Sequence, residues 1–300
     1  MSEEMVRTKI KSIFQATDTG KPRMDFFPDR AAVAQRHPGL MKPSHQSRII
    51  TTLVLGGMLA LAVFAAYRLE FSFARLGAGL GQLKTFLGLM VPPSSGSYFP
   101  LFAKALGETI AIAFLGTLLA AFFAFPLGFF AARGALGNWL TRFFTRRFSD
   151  TIRGVDTLIW ALIWINVVGL GPFAGVLAIM TSDIGSFTKL FSEAIEAVDR
   201  KQGEGVLSAG GTKLEVIRFG IIPQVLPVLL SQMLYYFESN TRSATIIGIV
   251  GAGGIGLHLS EMIRTYEWDR VSFIILMVLV TVAAIDWLST RLRLKMAGAQ

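Results

Sequence analysis

RKQGEGVLSAGGTKLEVIRFGIIPQVLP, residues 200–227, decides how the chain is read, because it is polar where its neighbours are not. Six charged side chains (Arg200, Lys201, Glu204, Lys213, Glu215, Arg218) flank a Gly-Gly pair, and Pro223 and Pro227 follow. On either side lie apolar segments long enough for a bilayer. A compact polar insertion between such segments presents a surface outside the lipid. Local chemistry predicts its shape. A short helix bearing Glu204 ends at Gly210-Gly211, where a positive φ costs little. A second helix starts near Thr212, an N-cap with Glu215 three residues on. The expected product is a helix–turn–helix knob suited to a groove in a partner, with an ordinary loop as the plain alternative.

Working outward, the 300 residues are 52% hydrophobic and 16% charged, a balance outside the soluble range. Residues 49–67 are an uncharged first span. Residues 68–100 mix Leu and Phe with Gly and end in VPPSSGSYFP, which predicts an interfacial helix and a loop. Residues 105–132 are the second span, in which Gly116, Ala120, Ala124 and Gly128 recur every four residues. That small-residue stripe lets another helix approach closely. Residues 134–153 alternate Arg142, Arg146 and Arg147 with Trp139, Phe143, Phe144 and Phe148. Such interleaving can suit nucleic acid, but beside apolar spans it reads as a helix anchored at the membrane surface. The third span is centred on 157–168 and is expected to begin a turn earlier. GLGP (169–172) reverses the chain into a fourth span over 173–190, a fifth covers 225–250, and a sixth covers 271–289 before the basic tail RLRLK.

Charge counting orients these spans. With the N-terminus inside, the inner segments 1–48, 133–153, 197–222 and 291–300 hold 9, 5, 4 and 3 Lys and Arg, which is 21 of 29. The excess matches the positive-inside rule. The fold class expected is therefore an all-α membrane protein with six transmembrane helices and both termini cytoplasmic. Residues 1–47 are polar and carry Pro22, Pro28, Pro38 and Pro43 without an apolar core, so they read as a cytoplasmic tail rather than a signal peptide. The net charge of +9 then belongs to cytoplasmic loops, and no nucleic-acid partner is expected. No cysteine and three scattered histidines exclude disulfides and thiolate metal sites and make no metal centre.

Two motifs mislead. Residues 251–256, GAGGIG, satisfy G-x-G-x-x-G, yet a dinucleotide fold also needs a soluble sheet to bind across. Close backbone packing at the outer mouth is the better reading. LSAGG (207–211) echoes the signature of transport ATPases, but no G-x-x-x-x-G-K-[ST] phosphate loop occurs. Any ATP must bind a partner.

The spacing Glu204, six residues to Gly210, then nine residues before Gly220-Ile221-Ile222-Pro223, resembles the EAA loop of ABC importer permeases (E-A-A-x3-G-x9-I-x-L-P). It departs from that pattern at Gly205, Val206 and Gly220. VGLGPFAGVLA (168–178), KLFSEAIEAVD (189–199), PQVLPVLLS (223–231), YYFESNTRSATIIGIVGAGGIG (235–256) and DWLSTRLR (286–293) extend the likeness, which is to the phosphonate ABC-transporter permease. The resemblance covers about residues 100–295. It implies a type I importer permease fold: 1–47 a tail, 48–100 a first helix with an external segment, and 101–295 a core of five spans with the coupling loop at 197–223. It also implies an ABC ATPase pair that holds ATP and magnesium, a periplasmic or extracellular phosphonate-binding protein, and a second permease copy or paralogue. This chain would bind no cofactor, act by alternating access rather than as an enzyme, and sit among the lipids of a bacterial inner membrane.

On this reading Glu204, Ser208, Ala209, Gly210, Gly211 and Pro223 are the ATPase-coupling residues. Glu238, Asn240, Arg242 and Ser243 are the substrate-pathway residues. Charges at bilayer depth cost about 2.5–3.5 kcal/mol each on insertion scales, so Glu238 and Arg242 should face a cavity or each other. Their i,i+4 spacing permits a pair. A structural pair that orients the helix is the alternative to contact with an anionic cargo through the guanidinium fork. Asp183 and Asn166 are secondary candidates for the pathway or for helix packing, and Glu193 and Glu196 are expected to support the knob. Rival functions are a permease for an amino acid or other small metabolite and an ion-coupled carrier, which needs internal repeats that the sequence does not show. A membrane enzyme lacks its catalytic cluster.

Overall fold

The computed structural model describes residues 45–297, with side chains over 46–295. The expected tail over 1–47 falls almost wholly outside the described residues. The chain divides into two units, residues 1–81 and 82–300.

In the first unit, α1 (His45–Arg68) is a 24-residue helix, about 36 Å long, apolar on every face from Ile49 onward. Thr51 and Thr52 fold their hydroxyls back onto the Ser47 and Arg48 carbonyls. That contact hides their polarity within the helix. A left-handed Glu70 (φ 51°) turns the chain, and α2 (Phe73–Leu89) begins in this unit and ends in the second.

The second unit is built on α3 (Phe99–Ala131). This helix has 33 residues and starts six residues before the expected second span. It continues through Pro126. Four later helices complete the frame: α4 (Trp139–Arg153), α5 (Thr157–Val168), α6 (Pro172–Glu196) and α7 (Arg200–Ser208). A short turn at Lys213–Glu215 leads through π-helical Val216–Ile221 into α8 (Ile222–Ile249). Two helices, α9 (Ile255–Arg264) and α10 (Trp268–Ala297), close the described chain. No strand occurs among the described residues.

The small-residue stripe of α3 receives α6. A Cβ on Gly116 would lie 2.7 Å from Ile179 Cβ, and one on Gly128 would lie 2.9 Å from Phe191 Cβ. Twelve residues of advance on α3 thus match twelve on α6, so the two helices run parallel. Ala120 and Ala124 between these glycines are fully buried. Three apolar clusters then stack along α3. Phe102 meets Ile255 and Ile274, Ile112 meets Ile179 and Ile247, and Ala124 meets Phe187, Phe191 and Val225.

The third span departs from expectation. α5 starts at Thr157, not a turn earlier, and its 12 residues rise only about 18 Å, short of the roughly 30 Å hydrocarbon core. Asp156 caps it by accepting the Leu158 N–H at 2.8 Å, and α4 ends at Arg153 with its axis bent 88° from α5. Cap chemistry at Gly154–Asp156 therefore overrides the apolar run. By length and apolarity, four helical stretches among the described residues can cross a bilayer: Gln46–Arg68, Gly96–Ala131, Lys213–Ile249 and Trp268–Lys295. The bent pair α4–α5 makes a fifth if it acts as one broken span. The chain is a multi-pass membrane protein.

The glycine motif at 251–256 is a packing device. Gly251, Gly253 and Gly254 have positive φ, and a Cβ on Gly256 would lie 2.0 Å from the Thr245 carbonyl oxygen. The Gly254 N–H donates to Glu108 Oε1 and the Ile255 N–H to Thr109 Oγ1, both at 2.8 Å. Two α3 side chains thus satisfy the first amides of α9.

Candidate functional site

The coupling segment folds as its residues dictate. Asp199 caps α7, accepting the Lys201 N–H at 3.1 Å. The helix stops in a Schellman turn. Gly210 takes φ 84°, its N–H reaches the Leu207 carbonyl at 2.9 Å, and the Gly211 N–H reaches the Val206 carbonyl at 3.0 Å. A Cβ on Gly211 would press within 2.8 Å of that Val206 oxygen. Next comes a reciprocal capping box. Glu215 N–H donates to Thr212 Oγ1 at 3.4 Å, and Glu215 Oε2 accepts the Thr212 N–H at 2.6 Å. The Thr212 hydroxyl also donates to Glu215 Oε2, at 2.9 Å.

What fixes the knob on the bundle was not visible in the local sequence. Gln224, in the first turn of α8, accepts the Asp199 N–H at 3.1 Å and donates to the Asp199 and Gly220 carbonyls at 3.3 and 2.6 Å. Gly220, a departure from the loop pattern, faces Gly203 so closely that a Cβ would sit 3.1 Å from Gly203 Cα. A larger residue there would lift α7 off the π-helical segment. Gly205, another departure, meets nothing within 4 Å. The knob exposes Glu204, Ser208 and Ala209, with Ser208 Oγ bonded to the Glu204 carbonyl at 2.9 Å. Pro223 is exposed in the first turn of α8. Leu207 and Leu214, 52% and 68% exposed, stand on either side of the turn. Sequence reading passed over these two leucines. Their signal was apolarity inside a segment that charge counting had put in water.

The four expected pathway residues divide into two groups on α8. Asn240, buried, donates from Nδ2 to Asp183 Oδ2 at 2.5 Å and to Thr117 Oγ1 at 2.8 Å. This triad ties α8 to α6 and α3 in the middle of the unit. Asp183 is thus a helix-packing partner of Asn240, while exposed Asn166 bonds only its own helix at Leu162 O. Glu238 and Arg242 form the expected pair, Oε1 to Nη1 at 3.1 Å. A third member comes from α10, with Arg293 Nη2 at 3.6 Å from Glu238 Oε2 and 3.9 Å from Asp286. Glu238 is buried, whereas the Arg242 side chain is 50% exposed. Glu238 therefore faces two cations, Arg242 and Arg293. Ser243 Oγ turns to the Ser239 carbonyl at 3.4 Å.

Glu193 and Glu196 do not brace the knob. Glu196 Oε1 accepts Arg146 Nη2 at 2.6 Å and the Arg133 N–H at 2.7 Å, and Arg146 Nε also donates to the Ala131 carbonyl. It clamps the end of α3 and the middle of α4 to α6. Glu193 pairs with Lys189, one turn back, at 3.8 Å.

A membrane-embedded helical bundle with a small-residue seam, a projecting helix–turn–helix and a buried polar layer is the architecture to be placed among known proteins. A family described as "Binding-protein-dependent transport system inner membrane component" matches residues 124–298. The putative phosphite transport system permease protein HtxC of Stutzerimonas stutzeri is 40% identical over 236 residues, covering 79% of this chain and 83% of that one. The phosphite permease PtxC of the same organism is 34% identical and covers 72% and 78%. A putative cryptic phosphonate permease of Escherichia coli K12, PhnE2, is 47% identical over 118 residues, covering 39% of this chain and 97% of its own. In fold, the chain is similar to a subunit of the MetNI methionine ABC transporter in its inward-facing form. That likeness has a TM-score of 0.60 at 16% identity, over 68% of this chain and 99% of that one. The chain belongs to the family of binding-protein-dependent transport system inner membrane components: it is a transport permease, not an enzyme.

Proposed function

We propose that this chain is the membrane half of an ATP-driven importer for phosphonate or a related phosphorus oxyanion, working in a bacterial inner membrane. The relatives at 34–47% identity are named as phosphite and phosphonate permeases, which supports the cargo class. The observation that carries the ATP-driven part is the knob. A pinned helix–turn–helix displays Glu204, Leu207 and Leu214, while the chain has no phosphate loop of its own. Nucleotide and magnesium then belong to an ATPase pair, a second permease copy or paralogue completes the passage, and a periplasmic binding protein delivers the cargo.

In this reading six spans leave both termini in the cytoplasm. α4–α5 act as one broken crossing, and α6 crosses despite its polar residues because Asp183 is buried against Asn240. Residues 1–47 are a tail, 48–100 the first span and external segment, and 101–295 the permease core with its coupling loop at 197–223. Closure of the ATPases pushes Glu204 and Ser208 to Gly211, and Pro223 passes the motion into α8. Rigid-body tilting then alternates access. Arg242, steadied by Glu238, offers its donors to the oxyanion, while Asn240 and Ser243 hold α8 in register.

The test is Leu207→Asp with Leu214→Asp. The double variant should fold and insert normally but lose co-purification of the ATPase. Retained ATPase at wild-type stoichiometry would overturn the coupling assignment.

A further inference from the structure

The end of the second unit that bears the coupling segment contains a cavity of about 410 Å³ between α4, α6 and the end of α3. Transport by the route proposed above does not use it. Its walls carry Arg146, Arg147, Arg153 and Lys189 against Asp150, Glu193 and Glu196, one positive charge in excess. The pairings within it are uneven. Glu196 is consumed by Arg146 and the Arg133 amide. Asp150 serves two cations, holding Arg147 at 2.9 Å and Arg153 only at 3.7 Å. Lys189 is 3.8 Å from an exposed Glu193. Arg153 and Lys189 are therefore held at the outer limit of ion pairing and can turn to another anion.

Two hydroxyls on the same walls point the same way. Ser149 and Thr188 are 3% and 0% exposed, and neither Ser149 Oγ nor Thr188 Oγ1 has a hydrogen-bond partner. A buried hydroxyl without a partner costs about 1–3 kcal/mol, and most serines and threonines in helices avoid that by bonding the preceding turn. Thr109, Thr117, Thr151 and Thr241 do so here. Ser149 is held tight in its place: a Cβ on Gly185 of α6 would lie 2.5 Å from the Ser149 carbonyl oxygen. Donors without acceptors beside loosely held cations make a site for an oxygen-rich anion.

We infer that this cavity binds a phosphate-bearing anion, with the Ser149 and Thr188 hydroxyls and the Arg153 and Lys189 heads as donors. Two sources share that chemistry. The outer face of α4 exposes Trp139, Phe143, Phe144 and Phe148, rings that settle at headgroup depth, so an anionic phospholipid can supply the phosphate. A free phosphorus oxyanion on the coupling side can supply it too, and would then report accumulated cargo to the permease.

Thermal unfolding of the full-length chain, followed by tryptophan fluorescence, tests this. One arm compares inorganic phosphate with matched chloride in detergent, and the other compares phosphatidylglycerol with all-phosphatidylcholine nanodiscs. Wild type should gain about 2–4 °C in Tm in at least one arm. A gain only with phosphatidylglycerol assigns the site to the headgroup, a gain only with phosphate assigns it to the free anion, and a gain in both shows that the phosphate group itself is read. Ser149→Ala with Thr188→Val should abolish the gain while leaving the ligand-free Tm equal or higher, because unpartnered hydroxyls are lost. The partly exposed Lys189→Gln should fold unchanged and weaken the concentration dependence about tenfold, the size of one charge-assisted hydrogen bond. No gain in either arm, a full gain in the double variant, or an unchanged dependence in Lys189→Gln would overturn the proposal.

Discussion

Asn240 and Arg242 are two residues apart on α8 and do different work. The Asn240 amide is spent on Asp183 and Thr117 in a buried layer, so Asn240→Ala strands a buried carboxylate. A loss of about 1–3 kcal/mol is expected, seen as a lower Tm in detergent. Replacing both members of the pair, Asn240→Leu with Asp183→Leu, should cost less than the single change, since no unpaired polar group remains. Arg242 is half exposed, and its partner Glu238 keeps Arg293 when Arg242 is removed. Arg242→Ala should therefore leave the assembled complex intact and impair uptake; a complex that falls apart would make the pair purely structural. The Glu238–Arg242 pair was legible because four residues on a helix share a face. Arg293 was not, because a contact 55 positions away leaves no local period in the sequence. The same holds for Gln224 on Asp199 and for Glu196 on Arg146, where distant segments meet only after the helices pack.

At the scale of elements, the glycines separate close approach from permissiveness. Gly116→Leu on α3 drives a side chain into Ile179 of α6, and Gly256→Ala drives one into the Thr245 carbonyl. Both variants should fail to yield a monodisperse protein on size-exclusion chromatography. Gly205→Ala meets nothing. Its helix gains about 0.5–1 kcal/mol in intrinsic preference, so Tm should hold or rise and coupling should survive. Gly210→Ala differs again, because φ 84° is strained for any side chain. It should loosen the turn and lower ATP-driven activity more than it lowers expression. The small-residue stripe and the Schellman turn could be read beforehand, since both depend on residues a few positions apart. The break between α4 and α5 could not be read from apolarity. Its signal was the Asp156 cap, outweighed in the reading by the long apolar run that follows it.

At the scale of the whole molecule, the second unit joins a parallel α3–α6 seam, a returning α8 and a pinned knob at one end, which under the proposed function act as a lever. Long spans and the charged insertion were visible at once, because hydrophobic length and charge are properties of composition along the chain. The short α5 and the polar α6 blur the count of crossings, since a helix buried against protein need not be apolar enough to be recognised as a span. Membership of the permease family rests on the 40% identity to a phosphite permease and on the match over 124–298. The most direct test of the central claim is uptake of radiolabelled phosphite or phosphonate by vesicles containing the reconstituted permease, with its binding protein, in the presence and absence of the ATPase partner and ATP. Accumulation that requires both the partner and ATP is expected, and it should be lost when Leu207 and Leu214 become Asp. Uptake that proceeds without ATP on a cation gradient would contradict it.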